Sequence, residues 1–360
     1  MHEADFRSAL LAWFDRHGRQ HLPWQNPRDA YRVWISEIML QQTQVATVIP
    51  YFERFVARFP NAAALAAASV DEVIAQWAGL GYYARARNLH GTARRVMERH
   101  GGRFPADLAA LTALPGIGRS TAGAILSLGY GLRAAILDGN VKRVLCRYAG
   151  LRGWPGESGV NRELWRLSEA LTPERRVADY NQAMMDLGAT VCVKRAPACG
   201  ACPLRGGCRA MLLGLTAAIP APRPRREQPI RHCHMLALRK DNGEVYLEQR
   251  PPAGIWGGLR SLPEFESLEA LVDWCAQRRI DCSGLERLPQ RRHTFTHFKL
   301  DFVPVIARAD GFPYSVSEGM GNGWFRPEEA GGLPAPVSRL LREIGGGASE
   351  QGQGQLSLGL

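Results

Sequence analysis

The chain lacks the features that define several broad classes of protein. No apolar run approaches the roughly 20 residues of a membrane span. The first residues, MHEADFRSALLAWFDRH, do not have the basic-then-apolar layout of a signal peptide. No repeat of fixed period is present, and the composition is that of an ordinary globular protein. We therefore expect a cytoplasmic monomer, and the composition argues against a collagen-like, coiled-coil or fully disordered chain.

Lysine is scarce, and the basic side chains are distributed unevenly. Only four of the 45 basic residues are lysine, and the formal net charge is +11. Residues 1–219 carry 27 basic and 17 acidic side chains, whereas residues 232–360 carry 14 and 16. An excess of positive charge confined to one part of the chain predicts that this part binds a polyanion.

The apolar pattern divides the chain into two domains. Residues 1–219 repeat apolar side chains at helical spacing, as in Phe6, Leu10 and Phe14, and predict an all-α domain. Residues 220–231 contain four prolines and predict an extended linker. An α+β domain is predicted for 232–345, and a disordered tail for 346–360. The predicted strands of the α+β domain are His234–Arg239, Glu244–Arg250, Thr294–Phe298 and Leu300–Ala307, and its predicted helices are Leu268–Arg279 and Val337–Ile344.

Four of the eight cysteines form a compact motif, Cys192-x6-Cys199-x2-Cys202-x5-Cys208. Because a cytosolic chain does not keep disulfides, a dense loop of four cysteines predicts a metal site. Four thiolates suit either a tetrahedral zinc ion or an iron–sulfur cluster, and the spacing alone does not decide between them. In both cases the metal would have a structural role.

A glycine-containing turn precedes another predicted helix, in the segment LPGIGRSTAGAIL. Gly116 suits the turn after Pro115, and Gly118 lets the backbone approach a ligand closely. A helix that begins at Ser120 or Thr121 would present free N–H groups, which bind anions. No strand precedes the motif, so it is not a dinucleotide-binding fingerprint.

These motifs resemble the helix–hairpin–helix DNA glycosylases of the endonuclease III superfamily. Within that superfamily, several segments resemble the MutY family of adenine DNA glycosylases, over about residues 5–345. They are VWISEIMLQQTQV, GLGYYARARNLH, ILDGNVKRVL, NQAMMDLGA and TFTHF. The resemblance implies a [4Fe–4S] cluster on the four cysteines, with zinc as the alternative. It also implies base excision repair in the bacterial nucleoid, with removal of adenine opposite 8-oxoguanine or guanine in double-stranded DNA.

Two carboxylates are the candidate catalytic groups, since glycosidic hydrolysis commonly needs an acid and a group that stabilises the sugar cation. Glu37 lies within the apolar segment WISEIML, where burial would raise its pKa; a solvent-facing helix position is an equally good interpretation of the periodicity. The resemblance implies that Glu37 protonates adenine. Asp138 is predicted to cap a helix, and the resemblance implies that it stabilises the sugar cation. Asn140 would orient Asp138 or a water molecule.

Ser120 is informative because lysine is absent from that position. Strand-nicking members of the superfamily carry a lysine there, which attacks the sugar to form a Schiff base. Ser120 therefore predicts base removal with little or no strand cleavage. Lys142 is predicted to contact a phosphate, or to form slow adducts near Asp138.

The resemblance also identifies candidate DNA-binding residues. A base must leave the helix to be cleaved, and a side-chain wedge can offset the lost stacking. Gln42 and Tyr82 match the family's wedge residues, and Trp24 matches a residue that lines its adenine pocket. Arg85 and Arg87 are predicted to contact phosphates.

The second domain resembles a Nudix fold but lacks the carboxylate-rich helix of a Nudix hydrolase, since residues 266–279 read ESLEALVDWCAQRR. A nucleotide hydrolase is therefore disfavoured. In the MutY family this domain recognises 8-oxoguanine through a Phe-Ser-His triplet, which is Phe295, Thr296 and His297 here. Residues Gln355–Leu360 resemble peptides that bind the bacterial sliding clamp. Two alternatives remain open, namely a strand-nicking glycosylase like endonuclease III and a non-enzymatic damage-binding protein.

Overall fold

A computed structural model describes residues 3–224, 227–251, 254–280, 284–295, 297–309 and 321–346. The chain divides into two compact units between residues 225 and 226, a point inside the predicted proline-rich linker. The first unit is built from helices, and the second combines a mixed sheet with helices. The predicted fold class is thereby confirmed.

The first unit contains the helices α1 to α12. They are α1 (Glu3–His17), α2 (Ala30–Leu40), α3 (Val45–Arg58), α4 (Ala62–Ala67), α5 (Val70–Trp77), α6 (Ala84–His100), α7 (Leu108–Thr112), α8 (Arg119–Ala124), α9 (Gly139–Ala149), α10 (Ser158–Leu171), α11 (Val177–Thr190) and α12 (Arg209–Leu212). Helix α8 continues into a π-helical turn, Ile125–Gly129.

Local sequence explains where many of these helices begin. Asp29, Asn61, Ser69, Asp107 and Asp138 each precede a helix and accept a hydrogen bond from the backbone N–H three residues later. Such caps satisfy donors that a helix leaves unpaired at its first turn. The position of the catalytic candidate Asp138 is therefore fixed by a local rule.

A single apolar core holds the helices of the first unit together, and its largest fully buried side chains include Trp34, Trp77 and Phe52. Helix α2 lies in this core and packs closely against the π-helical turn. A Cβ atom on Gly129 would lie 2.8 Å from the Cα atom of Ala30. This close approach places α2, which carries Glu37, beside the segment that leads to Asp138.

The second unit contains strands β1 to β8 and helices α13 and α14. They are β1 (Ile230–Arg239), β2 (Val245–Gln249), β3 (Arg260–Ser261), β4 (Glu264–Phe265), α13 (Leu268–Gln277), β5 (Glu286–Arg287), β6 (Arg291–Thr294), β7 (Lys299–Arg308), β8 (Gly323–Phe325) and α14 (Ala335–Gly346). The predicted strand Thr294–Phe298 is wrong, because β6 ends at Thr294, β7 begins at Lys299, and the described residues between them, 295, 297 and 298, are not in a strand.

The sheet has the order β3-β2-β1-β7-β5, with β4 on β1, β6 on β7 and β8 on β2. Strands β1 and β7 are parallel and in register from Ile230 opposite Lys299. Alternate residues of β1 enter different cores: Met235 packs in the core that α14 covers, and Leu236 packs in the core that α13 covers. This alternation follows from the two-residue period of a strand.

Within the described ranges, no helix is long and apolar enough to cross a membrane.

Candidate active site

Glu37 lies in the middle of helix α2, between residues that are almost all buried. Ile35, Ser36 and Ile38 are at most 4% exposed, while Glu37 itself is half-buried. Burial, which is the larger cause, and the negative charge of Asp138 together raise the pKa of Glu37 to about 8. At neutral pH this carboxyl group therefore keeps its proton, which a general acid requires.

Asp138 caps helix α9 and receives several stabilising contacts. Its Oδ1 atom accepts a hydrogen bond from the backbone N–H of Val141 at 2.8 Å, and its Oδ2 atom accepts one from Asn140 Nδ2 at 3.2 Å. Burial nevertheless raises the pKa of Asp138, although these bonds and the charge of Arg143 oppose the shift. Desolvation therefore has a larger effect on this pKa than the capping hydrogen bonds.

The two carboxyl groups are close enough to interact electrostatically although they are 101 positions apart in sequence. The charge of Asp138 acts on Glu37, and Asp138 has the hydrogen-bond donors and the nearby cation that favour the ionised form. We assign the proton to Glu37 and the charge to Asp138, since no described residue donates a hydrogen bond to Glu37. The site therefore combines one acidic and one ionised carboxyl group.

Asn140 and Arg143 connect Asp138 to the cysteine loop. Arg143 donates to Asn140 Oδ1 at 2.8 Å and, through Nε, to the backbone carbonyl of Cys192 at 2.7 Å. Gly188 allows this arrangement, because a Cβ atom there would lie 2.6 Å from the Cβ atom of Asn140. A continuous hydrogen-bonded chain thus joins the first cluster cysteine to the catalytic candidate.

The helix–hairpin–helix segment lies next to the same carboxylates. Gly116 has a left-handed φ of 75°, and Gly118 precedes α8 with open space where its Cβ atom would be. The Ser120 hydroxyl accepts a hydrogen bond from the backbone N–H of Leu137 at 2.9 Å, immediately before Asp138. Lys142 is half-buried in the first turn of α9. Helix α8 begins at Arg119, one residue earlier than predicted.

The two wedge candidates occupy exposed turns with unusual backbone angles. Gln42 follows α2 with a φ of 59°, and Tyr82 precedes α6 with a φ of 51°. Both lie in the left-handed region, which is uncommon for residues other than glycine. Tyr82 is 52% exposed, and Gln42 is also exposed. Both side chains are therefore available to a ligand on the surface.

Arg85 does not have the role that its charge suggests. It is only 8% exposed, and its two terminal nitrogens donate to acceptors inside the protein, including the carbonyls of Ile38 and Gly81. The predicted phosphate contact is therefore wrong for Arg85, because its outer donors are already used. Arg87 is half-buried, and burial lowers its pKa.

Trp24 is buried in the core, and a polar network near it in sequence was not predicted. Trp24 is 5% exposed and packs edge-on against Phe52 in the core. Nearby in sequence, Arg19 forms hydrogen bonds at 2.9 and 2.7 Å with the fully buried Asp186, which also accepts a bond from Gln182. Gln182 and Asp186 lie within the segment NQAMMDLGA, but nothing local in the sequence pairs Asp186 with Arg19, 167 positions away.

The four cysteines of the predicted metal site converge. They line one small pocket between residues 191 and 216, together with Arg147. Burial raises the pKa of Cys202 to about 11, and the other three cysteines act on it in the same direction. Arg147 donates to the sulfur of Cys192 at 3.4 Å. The residues therefore fit a thiolate-bound group that carries negative charge.

All four cysteines line the same pocket, so the loop supplies a complete set of four sulfur donors. Four cysteine thiolates are the ligands of a [4Fe–4S] cluster and also of a tetrahedral zinc ion, and the residues fit either group.

In the second unit, two of the predicted lesion-reading residues, Phe295 and His297, are described between β6 and β7. Phe295 stacks on Phe298 with ring centroids 4.5 Å apart, and its backbone N–H donates to the carbonyl of Phe298. Trp256 and His293 also pack against Phe295. The side chain of His297 is exposed. Thr296 and the clamp-binding candidate Gln355–Leu360 lie outside the described residues.

Comparison with known proteins matches a family model to each of the two units. Residues 35–170 match the family model described as the HhH-GPD superfamily base excision DNA repair protein. Residues 234–343 match the model of the NUDIX domain. The first match includes Glu37, the hairpin and Asp138, and the second includes the segment between β6 and β7.

The proteins that are similar to this chain include three curated adenine DNA glycosylases and two solved glycosylase structures. The adenine DNA glycosylase of Buchnera aphidicola subsp. Acyrthosiphon pisum is 36% identical and covers 94% of this chain and 97% of the relative. The mouse and human adenine DNA glycosylases are 36% and 34% identical, and each covers 94% of this chain and, respectively, 77% and 73% of its own length. A thermostable thymine-DNA glycosylase is 29% identical, with a TM-score of 0.53 over 59% of this chain and 97% of its own.

An endonuclease III–DNA complex shares the fold of the first unit, with a TM-score of 0.51, 23% identity, and coverage of 60% of this chain and 99% of its own. The similarity to the adenine DNA glycosylases extends through both units. The candidate site in the first unit contains one acidic and one ionised carboxyl group. The chain belongs to the adenine DNA glycosylases, enzymes of the HhH-GPD base excision repair superfamily.

Proposed function

We propose that this enzyme hydrolyses the N-glycosidic bond of adenine paired with 8-oxoguanine, or with guanine, in duplex DNA. The observation that carries the proposal is the burial of Glu37, which with the charge of Asp138 raises its pKa to about 8, near an Asp138 that is held by hydrogen bonds. Two carboxyl groups in different ionisation states are the arrangement that glycosidic hydrolysis needs.

In the proposed reaction Glu37 transfers its proton to the adenine ring as the bond from the sugar to the base breaks. The electron pair of that bond leaves with the base, and positive charge develops on the sugar. Asp138 stabilises this charge, because its carboxylate is held in place by Val141 and Asn140. Water adds to the sugar carbon, and its proton returns to the Glu37 carboxylate.

We propose that the enzyme releases the base without breaking the strand. The hydroxyl of Ser120 cannot form a Schiff base with the sugar, whereas a lysine amine at this position could. Ser120 instead accepts a hydrogen bond from the segment that ends at Asp138. Lys142 is then a candidate phosphate ligand rather than a nucleophile.

Adenine would reach Glu37 only after it leaves the base stack, which costs a few kcal/mol. Gln42 and Tyr82, exposed on neighbouring turns, are the proposed wedges that fill the vacated space. The hairpin at Gly116 and Gly118 would hold the DNA backbone through its free N–H groups. Trp24 would form part of the floor of the adenine pocket.

Cys192, Cys199, Cys202 and Cys208 are proposed to hold a [4Fe–4S] cluster, for which their shared cavity and the nearby Arg147 are the support. The cluster would supply structural rigidity to the loop. In the second unit, Phe295, Thr296 and His297 are proposed to recognise 8-oxoguanine, with the stacked pair of Phe295 and Phe298 as a rigid base for that segment. The last residues, 355–360, are a candidate ligand of the sliding clamp.

One gel tests the proposed reaction. The purified protein is incubated with a duplex that holds one adenine opposite 8-oxoguanine and is labelled on the adenine strand, and half of each sample is heated in alkali. We expect breakage only after alkali, which reports a base removed from an intact strand. Breakage without alkali would favour the strand-nicking alternative. Tight binding without breakage in either half would favour a damage-binding protein, and Glu37→Gln serves as the inactive control.

A further inference from the structure

The turns that carry Gln42 and Tyr82, here named the wedge loops, share an unfavourable backbone conformation. Gln42 and Tyr82 both have left-handed backbone angles, with φ values of 59° and 51°. Left-handed geometry is unfavourable for residues other than glycine, and such conformations persist only where the surrounding structure holds them. Both residues are exposed, so their own side chains do not supply that support.

Arg85 contacts both loops from inside the protein. Its Nη1 atom donates to the carbonyls of Ile38, Met39 and Gln41, at 2.8, 2.9 and 2.8 Å. These carbonyls belong to the last turn of α2 and to the residue that precedes Gln42. The partial negative charge of a helix C-terminus favours a cation at this place.

The second terminal nitrogen of Arg85 reaches the other loop. Its Nη2 atom donates to the carbonyls of Leu80 and Gly81, at 3.3 and 3.2 Å, and weakly to the Thr43 hydroxyl at 3.4 Å. The guanidinium carbon also lies 5.4 Å from the centre of the Tyr82 ring. One side chain thus binds the residues on both sides of Gln42 and the two residues before Tyr82.

The remaining donor of Arg85 points inward. Its Nε atom is buried and has no hydrogen-bond partner within the described structure. Arg85 also lines a small pocket together with Trp34, Asn88 and Gly116. Arg85 therefore offers no free donor to a phosphate on the surface. Its planar set of five N–H groups is suited to several fixed acceptors at once, which an ammonium group is not.

We propose that Arg85 is the positioning residue for both wedges. It fixes the turn that carries Gln42 and the turn that carries Tyr82 relative to each other, so that the two side chains enter the DNA together. This inference rests on the proposed function, since it assumes that the two residues act as wedges. It makes Arg85 important for opening the base pair and unimportant for the cleavage chemistry.

The test compares Arg85→Lys with the wild type on two substrates under single turnover. The first is adenine opposite 8-oxoguanine in a fully paired duplex. In the second substrate, the base pairs on both sides of that adenine are mismatched, so that the wedge residues have less lost stacking to replace. A displacement of about 1 Å in a positioned group can slow a reaction about 100-fold. We expect Arg85→Lys to be slowed at least tenfold on the paired duplex and by much less on the mismatched one.

Three controls separate this proposal from others. Arg94→Gln removes an exposed positive charge from the same helix, and we expect it to release adenine from both duplexes at the wild-type rate. Circular dichroism identifies loss of the fold. In a Gln42→Ala/Tyr82→Ala background, Arg85→Lys should add little further effect, because residues that act through one another are not additive.

The outcomes differ for the two proposals. Equal loss on both duplexes by a folded Arg85→Lys protein, or full additivity with the wedge variants, overturns the positioning role while the proposed function stands. If the wild type releases adenine from neither duplex, the proposed function fails and this inference fails with it. A rate deficit confined to the fully paired duplex supports it.

Discussion

Replacement of Glu37 by glutamine gives the strongest test of the active-site electrostatics, because it should change activity and stability in opposite directions. The amide is close to the carboxyl group in size but cannot lose a proton. Base release should therefore be abolished, since the proposed proton donor is gone. The stability of the folded protein above neutral pH should rise, because a buried group that would otherwise ionise has been removed.

The size of the stability effect follows from the pKa. Burial raises the pKa of Glu37 from 4.5, its ordinary value, to about 8. A group whose pKa is higher in the folded than in the unfolded protein stabilises the fold below its ordinary pKa, and this contribution is lost as the pH rises towards 8. Linkage then gives a loss of about 2.7 kcal/mol between pH 6 and pH 9, and water entry into the site would reduce it.

The assay is urea denaturation of the wild type and Glu37→Gln at pH 6, 7.5 and 9. We expect the free energy of unfolding of the wild type to fall more steeply with pH than that of the variant. The control is Glu98→Gln, an exposed acid on α6, which should follow the wild type at each pH. If wild type and Glu37→Gln have the same pH dependence, Glu37 does not have a raised pKa and our assignment of its proton is wrong.

Four further predictions concern the other groups of the site. Asp138→Asn should slow base release at least about 100-fold, as with other preorganised charges, while affinity measured by duplex titration stays within a few-fold. Ser120→Lys should introduce strand breakage that appears on the gel without alkali. Cys199→Ser should lower the iron content and the midpoint of thermal unfolding, measured by metal analysis and calorimetry. Phe295→Ala removes the stack on Phe298 and should reduce the preference for adenine opposite 8-oxoguanine over adenine opposite guanine, measured as a ratio of single-turnover rates.

The parts of the site that could be predicted from the sequence depend on local rules. Asp138 caps α9 because its side chain reaches the N–H three residues later, and this relation is visible in the sequence alone. The four cysteines are spaced closely enough to indicate a metal site. In the second domain, the two long strands and both helices have clear periodicity. Strands of two or three residues, such as β3 and β8, are too short to have any.

The parts that could not be predicted depend on contacts between distant residues. Periodicity allowed Glu37 to face solvent, and only the packing around α2 and the approach of Asp138 explain its raised pKa. Arg85 resembled a surface cation because its acceptors at Ile38 and Gln41 are 47 and 44 positions away. In the same way, nothing near Asp186 in the sequence indicates that Arg19 neutralises it.

The excess of arginine in the first domain therefore has two separate explanations. One is binding of DNA phosphates, and the other is hydrogen bonding inside the protein. Arg85, Arg143 and Arg147 use their N–H groups to pair backbone carbonyls at helix ends and in the cysteine loop. Unpaired carbonyls are costly when buried, and a guanidinium can satisfy several of them at once. The positive charge that predicted a polyanion thus also holds together the wedge loops, Asp138 and the cysteine loop. The number of phosphate contacts must then be smaller than the number of basic residues, so the salt dependence of binding should be interpreted with these internal arginines left out.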